Sequence, residues 1–143
     1  MIGIVTGTIA GLVATIVMTV FMIGLGDDGP PPTATLWAKY VGSRGPEAYM
    51  MQGMLLHFLY GIGAGSAFAA VGDLLNLGFG ADQVALTVIA ALVYGLILMV
   101  VGAIFWMKIV LAMQPDRETA IMFGLFHVIY GIFLGLGVVY LPL

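Results

Sequence analysis

Four long apolar runs decide what this chain can fold into. They cover residues 2–25, 49–71, 84–107 (with apolar residues as far as 113) and 119–141. A helix needs about 20 residues to cross the hydrocarbon core of a bilayer, and each run supplies them. The runs are continuously apolar where barrel strands would alternate, so helices are expected. Of the 143 residues, 62% are hydrophobic and 8% are charged. Soluble domains hold about 45–50% apolar and about 25% charged residues, and a small one buries only part of its apolar surface. The chain is expected to be all-α: a polytopic membrane four-helix bundle, one domain over 1–143, with the lipid bilayer as its main partner.

The ends of the runs carry stop and start signals. Gly26-Asp27-Asp28-Gly29 and Pro30-Pro31-Pro32 end the first, because proline lacks the amide that a helix interior needs. Asn76, Gly78 and Gly80 make a turn after the second. Gln114-Pro115-Asp116 ends the third, and Asp116 caps the fourth. The first run has no positive segment before it and is too long for a signal-peptide core, so it reads as a mature helix. Residues 33–42 place Leu36, Trp37, Tyr40 and Val41 at helical spacing. This reads as a short interfacial helix anchored by its aromatic rings, or as a lid over the cytoplasmic end.

Lys39 and Arg44 follow run 1, and Lys108 and Arg117 flank the loop after run 3. The positive-inside rule puts these two loops in the cytoplasm and both termini outside, with the plasma membrane as the location. The net charge of −3 offers no basic patch for phosphates, so no nucleic-acid partner is expected. The absence of cysteine excludes disulfides, thiolate metal sites and CxxC redox chemistry.

Inside runs 2 and 4 one phrase occurs twice. Residues 57–65 read HFLYGIGAG and residues 127–135 read HVIYGIFLG. They hold the only two histidines of the chain. Helices two apart in an up-down bundle run the same way, so His57 and His127 are expected at one depth in the cytoplasmic half. The simplest account is two tandem two-helix hairpin repeats, parallel and related by an axis along the membrane normal. Small residues recur at four-residue spacing: Gly3, Gly7 and Gly11 in run 1, Gly61 and Gly65 in run 2, and Gly131 and Gly135 in run 4. Such rows, of glycine-zipper type, let helix backbones approach where no hydrophobic force drives association. His57 and His127 share a face with these rows, each pointing toward a tight helix contact, and Tyr60 and Tyr130 sit one turn on.

Several roles fit these residues. A neutral histidine in a membrane helix bonds a neighbouring carbonyl or tyrosine and glues helices together. His57 and His127, with Tyr60 and Tyr130 beside them, are also candidate cofactor-binding residues, for instance as axial ligands of a b-type haem whose propionates Lys39, Arg44, Lys108 or Arg117 would meet. Close glycine packing would leave that haem little room. Met50, Met54 and His57 form a soft face of the kind that suits Cu(I), although methionine commonly serves as apolar filling, and no metal residue is assigned. A proton relay or small channel is a further class, without any deep Asp, Glu, Lys or Arg to support it. No GxSxG, P-loop or HExxH occurs, and no catalytic residue is assigned.

The glycine- and threonine-rich first helix (GTIAGLVATIVMT), the proline-rich first loop, HFLYGIGAG and YGLILMVVG together resemble a set of uncharacterised small prokaryotic four-helix integral membrane proteins. That resemblance implies the four-helix fold and brings no catalytic residues. The function expected from sequence is non-enzymatic: an accessory or structural subunit that associates with itself or with other membrane subunits, with no cofactor. A haem- or metal-binding membrane protein using His57 and His127 is the alternative, and a small channel or transporter is the next.

Overall fold

The computed structural model describes residues 3–25 and 29–141. The chain is 83% helix, and no strand occurs among the described residues. Five helices follow one another: α1 (Ile4–Gly24), α2 (Pro32–Tyr40), α3 (Met50–Leu74), α4 (Val84–Val101) and α5 (Arg117–Tyr140). A 3₁₀ turn, Pro46–Tyr49, leads into α3, and α4 runs on as a π-helix, Gly102–Val110. Four of these segments are long and apolar enough to cross a membrane: Ile4–Gly24, Pro46–Leu74, Ala81–Val110 and Arg117–Tyr140. Ile2 and residues 26–28, where the first run was expected to start and stop, lie outside the described residues.

The helix ends follow local chemistry. Asp116 accepts the Thr119 amide at 2.8 Å and caps α5. Asn76 takes φ 52° just past α3, a left-handed conformation that asparagine tolerates better than most residues. The Leu77 amide then reaches back to the Gly72 carbonyl at 3.0 Å.

Small residues set which helices touch. α1 packs along α3, α5 packs along α4, and α1 also packs against α5. In the α1–α3 seam, a Cβ on Gly65 would lie 2.6 Å from the Gly11 Cα, and one on Gly11 would lie 2.7 Å from the Gly61 carbonyl oxygen. In the α4–α5 seam, a Cβ on Gly131 would lie 2.8 Å from the Ala91 carbonyl oxygen, and one on Gly95 would lie 2.6 Å from the His127 carbonyl oxygen. Gly7 meets Ala69 and Gly65, and Gly135 meets Val88 and Ala91. Gly3 stands apart, exposed, with open space where a side chain would go.

α3 and α4 make no comparable backbone seam. Side chains bridge them instead. The Tyr94 hydroxyl donates to the Ala64 carbonyl at 3.0 Å. Phe68 stacks on Phe79 with ring centres 5.0 Å apart, and Tyr94 lies 5.4 Å from Phe68. These rings fill the half of the gap that holds the α3–α4 connection. The other half stays open.

Two features depart from the sequence expectation. The third span changes hydrogen-bonding pattern partway. Its inward row steps by four through Thr87, Ala91 and Gly95 and reaches Gly102, but the next buried residue is Met107, five residues on. An α-helix cannot place residues five apart on one line; bonding to the fifth residue, as in a π-helix, can. Continuous apolar sequence hides this shift.

The short helix begins at Pro32 and ends at Tyr40, so Val41 and Gly42 fall outside it. It is docked on its neighbours. Ala34 is fully buried, and a Cβ on Gly53 would run into it. The Thr33 hydroxyl donates to the Gly53 carbonyl at 2.6 Å. From the other end, Lys39 donates to the Val110 carbonyl at 2.5 Å. α2 therefore reaches from α3 to the end of the π-helix, across the open half of the α3–α4 gap.

Candidate functional site

The small-residue row in the α1–α3 seam ends at Thr15, against which Gly61 packs. One turn on, the facing side chains become Thr19, Met18 and Met22 on α1 and Leu56 and His57 on α3. Larger side chains in place of glycines leave a space between the helices. The result is a cavity of about 630 Å³, walled by α1, α3, the π-helix and α5 and roofed by the chain around Pro30–Thr33. Ligand sites commonly measure about 300–1,000 Å³ and are mostly apolar with a few placed polar groups.

Both histidines and both tyrosines of the repeated phrase line this cavity. The sequence expectation pointed each histidine into a tight helix seam. His57 does touch α1, with its Nε2 3.2 Å from the Thr19 hydroxyl. The Thr19 hydroxyl already donates to the Thr15 carbonyl at 2.7 Å. It therefore accepts from His57, which places the His57 proton on Nε2 and leaves a lone pair on Nδ1. His127 has its Nδ1 2.8 Å from the Phe123 carbonyl. A carbonyl only accepts, so Nδ1 carries the proton and the Nε2 lone pair is left. No buried side-chain nitrogen or oxygen among the described residues lacks a partner. The two unpartnered ring nitrogens are thus accessible.

The tyrosines divide. Tyr130 is 3% exposed, and its hydroxyl donates to the Gly61 carbonyl at 2.6 Å, tying α5 to α3. Tyr60 is 41% exposed and faces the Trp106 indole of the π-helix. The equivalent positions of the two phrases therefore do different work: one closes the protein and the other stands at the edge of the cavity.

Of the remaining candidates, Gly61 also lines the cavity, whereas Gly65, Gly131 and Gly135 stay in the seams. Met50 and Met54 do not line it. Its methionines are Met18, Met22, Met107, Met113 and Met122, which no single helical stripe in the sequence would collect. No lining residue is Lys or Arg, and Asp116 and Glu118 stand at the end of the cavity next to the connection between the third span and α5. The four cations proposed for haem propionates are thus outside the cavity wall. No cluster of three or more His, Cys, Asp or Glu side chains occurs among the described residues. Trp106, in the π-helix, and Leu98, in α4 before it, also belong to the wall, and sequence reasoning passed over both.

Comparison with known protein families, with curated proteins and with solved structures finds no match to this chain.

Proposed function

We propose that this is a small, non-enzymatic membrane protein that binds a ligand within its own helices, in the cavity that His57 and His127 share. The observation that carries this reading is the position of both histidines, each with a free lone pair, on the wall of one cavity of about 630 Å³. A polar ring within a membrane-spanning segment is costly and by default marks a functional site. Two that line one cavity, each with an accessible lone pair, are best explained by something that uses them.

The architecture behind this is a four-helix bundle of two tandem hairpins, α1–α3 and α4–α5. Matching positions support the repeat. Gly11 meets Gly61 and Gly65, and Ala91 meets Gly131 and Gly135. The α1–α5 seam would then have an α4–α3 counterpart, and that is where the seam is missing and the cavity lies. Lys39, Arg44, Lys108 and Arg117 orient the protein with the cavity mouth toward the cytoplasm and both termini outside.

A b-type haem fits this site less well than a neutral ligand does. Its carboxylates would meet Asp116 and Glu118 at the mouth, with no lining cation to offset them. The accessory-subunit reading drew on the small-residue rows as a surface for self-association. Gly7, Gly11, Gly61, Gly65, Gly131 and Gly135 all meet helices of the same chain. An oligomer would have to use another surface.

Native mass spectrometry of the purified protein, beside Met122→Trp to fill the cavity, tests the proposal. A bound mass retained by the parent chain and lost from the filled variant supports it. Identical adducts on both overturn it. A Soret band after expression with haem supplied would assign haem instead.

A further inference from the structure

The geometry points to the class of ligand: a neutral amphiphile whose head bears a hydroxyl group, held by donating that hydroxyl to His57 Nδ1 or His127 Nε2. This rests on the cavity reading above and narrows it.

The argument is one of donors and acceptors. Thr19 fixes the proton of His57 on Nε2, and the Phe123 carbonyl fixes that of His127 on Nδ1. Each ring therefore faces a ligand as an acceptor. Tyr130 spends its hydroxyl proton on Gly61. Around His57, His127 and Tyr130 the cavity presents acceptors, with the donors Tyr60 and Trp106 set at its edge, so the histidines select a head that donates. A ketone, aldehyde or quinone would leave the histidine lone pairs unmet. Rejecting a ligand that lacks the matching hydrogen-bonding group is something a buried polar site does well, because its own groups are stranded.

Charge narrows the class further. The mouth presents Asp116 and Glu118 and no lining Lys or Arg, which disfavours phosphate and carboxylate heads. Most of the wall is apolar, and five methionines contribute to it. Their unbranched, flexible side chains adapt to a chain of irregular shape. A lipid alcohol and a quinol share the required chemistry.

The test uses the full-length protein in lipid nanodiscs. The chain has two tryptophans, and Trp37→Phe leaves Trp106, on the cavity wall, as the sole reporter. Four probes are titrated: farnesol, farnesal, a short-tailed benzoquinol and its benzoquinone. Saturable emission change is read, with calorimetric titration as a second readout. At least one hydroxyl form should bind roughly tenfold more tightly than its carbonyl partner. Farnesol alone assigns a lipid alcohol, the benzoquinol alone assigns a quinol, and either result supports the inference. In His57→Leu with His127→Leu the preference should fall toward one, with the thermal midpoint recorded to establish folding. Equal binding of hydroxyl and carbonyl forms, or a preference for the carbonyl, overturns this inference and leaves the cavity reading standing. No saturable binding of any of the four probes overturns both.

Discussion

The Tyr130 hydroxyl donates to the Gly61 carbonyl oxygen at 2.6 Å, so the second copy of the repeated phrase is fastened to the first. Tyr130 is buried, and the bond is the polar link between α5 and α3 at the inner end of the cavity. Hydrogen bonds between membrane helices average about 0.6 kcal/mol and reach about 1.7. Tyr130→Phe is expected to lose about 1 kcal/mol of stability. Tyr60→Phe, at the half-exposed equivalent position, should lose less. Reversible unfolding in mixed micelles compares the two, and a Tyr60 effect equal to that of Tyr130 would refute the distinction.

Two glycines of α3, two residues apart, should behave in opposite ways. A Cβ on Gly65 would lie 2.6 Å from the Gly11 Cα and against the Gly7 carbonyl, both backbone atoms that can move only if the seam opens. Gly65→Ala should cost about 1–3 kcal/mol through overpacking. Gly63 has open space at the same point. Gly63→Ala should be neutral or stabilise by up to about 1 kcal/mol, because alanine is the better helix former. The same unfolding assay decides, and equal effects would remove the seam from the explanation.

This contrast also marks what the sequence made legible. The spans could be read because lipid demands long apolar helices, and the glycine rows because close packing demands small residues at regular spacing. The cavity could not be read, because it appears where the α1 row ends at Thr15 and the bulkier Met18 and Met22 take over. No periodicity announces that the facing helix leaves room there. The docking of Ala34 on Gly53 was equally silent, since two small residues carry no signal unless they are known to face each other.

The π-helical step makes a prediction about register. Gly102 and Met107 lie five residues apart in the inward row. Deleting Ile104, which is exposed, shortens that spacing to four and lets an α-helix carry both inward. The shortened protein should fold and lose little stability. Deleting Val93, equally exposed, breaks the four-residue step from Ala91 to Gly95 and should cost about 2 kcal/mol or more. Equal losses from the two deletions would show that the π-helix is not an inserted residue absorbed by the fold.

α2 is held over the cavity mouth by Lys39 on the Val110 carbonyl, a cation at a helix C-terminus. Such contacts are worth about 0.3–1 kcal/mol. Lys39→Met should raise the fraction of molecules with α2 undocked by up to about fivefold. The chain has no cysteine, so Leu36→Cys, on the cavity wall, gives a single labelling site. Reaction of that thiol with a membrane-impermeant maleimide should quicken when Lys39→Met is added, and an unchanged rate would dissociate Lys39 from the docking of α2.

At the mouth, Asp116 adds a dependence on pH whose sign follows from its cap. The Thr119 amide donates to the Asp116 carboxylate, which holds the carboxyl below its ordinary value of 3.8. A depressed folded-state value means that the cap stabilises the start of α5 above the ordinary value and is lost as pH falls through the lowered one. Amide exchange at Thr119, measured across that range, should show protection at neutral pH that disappears only below 3.8. Asp116→Ala should remove the protection at every pH. Asp116→Asn should keep it and abolish the pH dependence, since asparagine caps without titrating. Protection in Asp116→Asn that still titrates would place the proton on another group and separate the pH response from the cap.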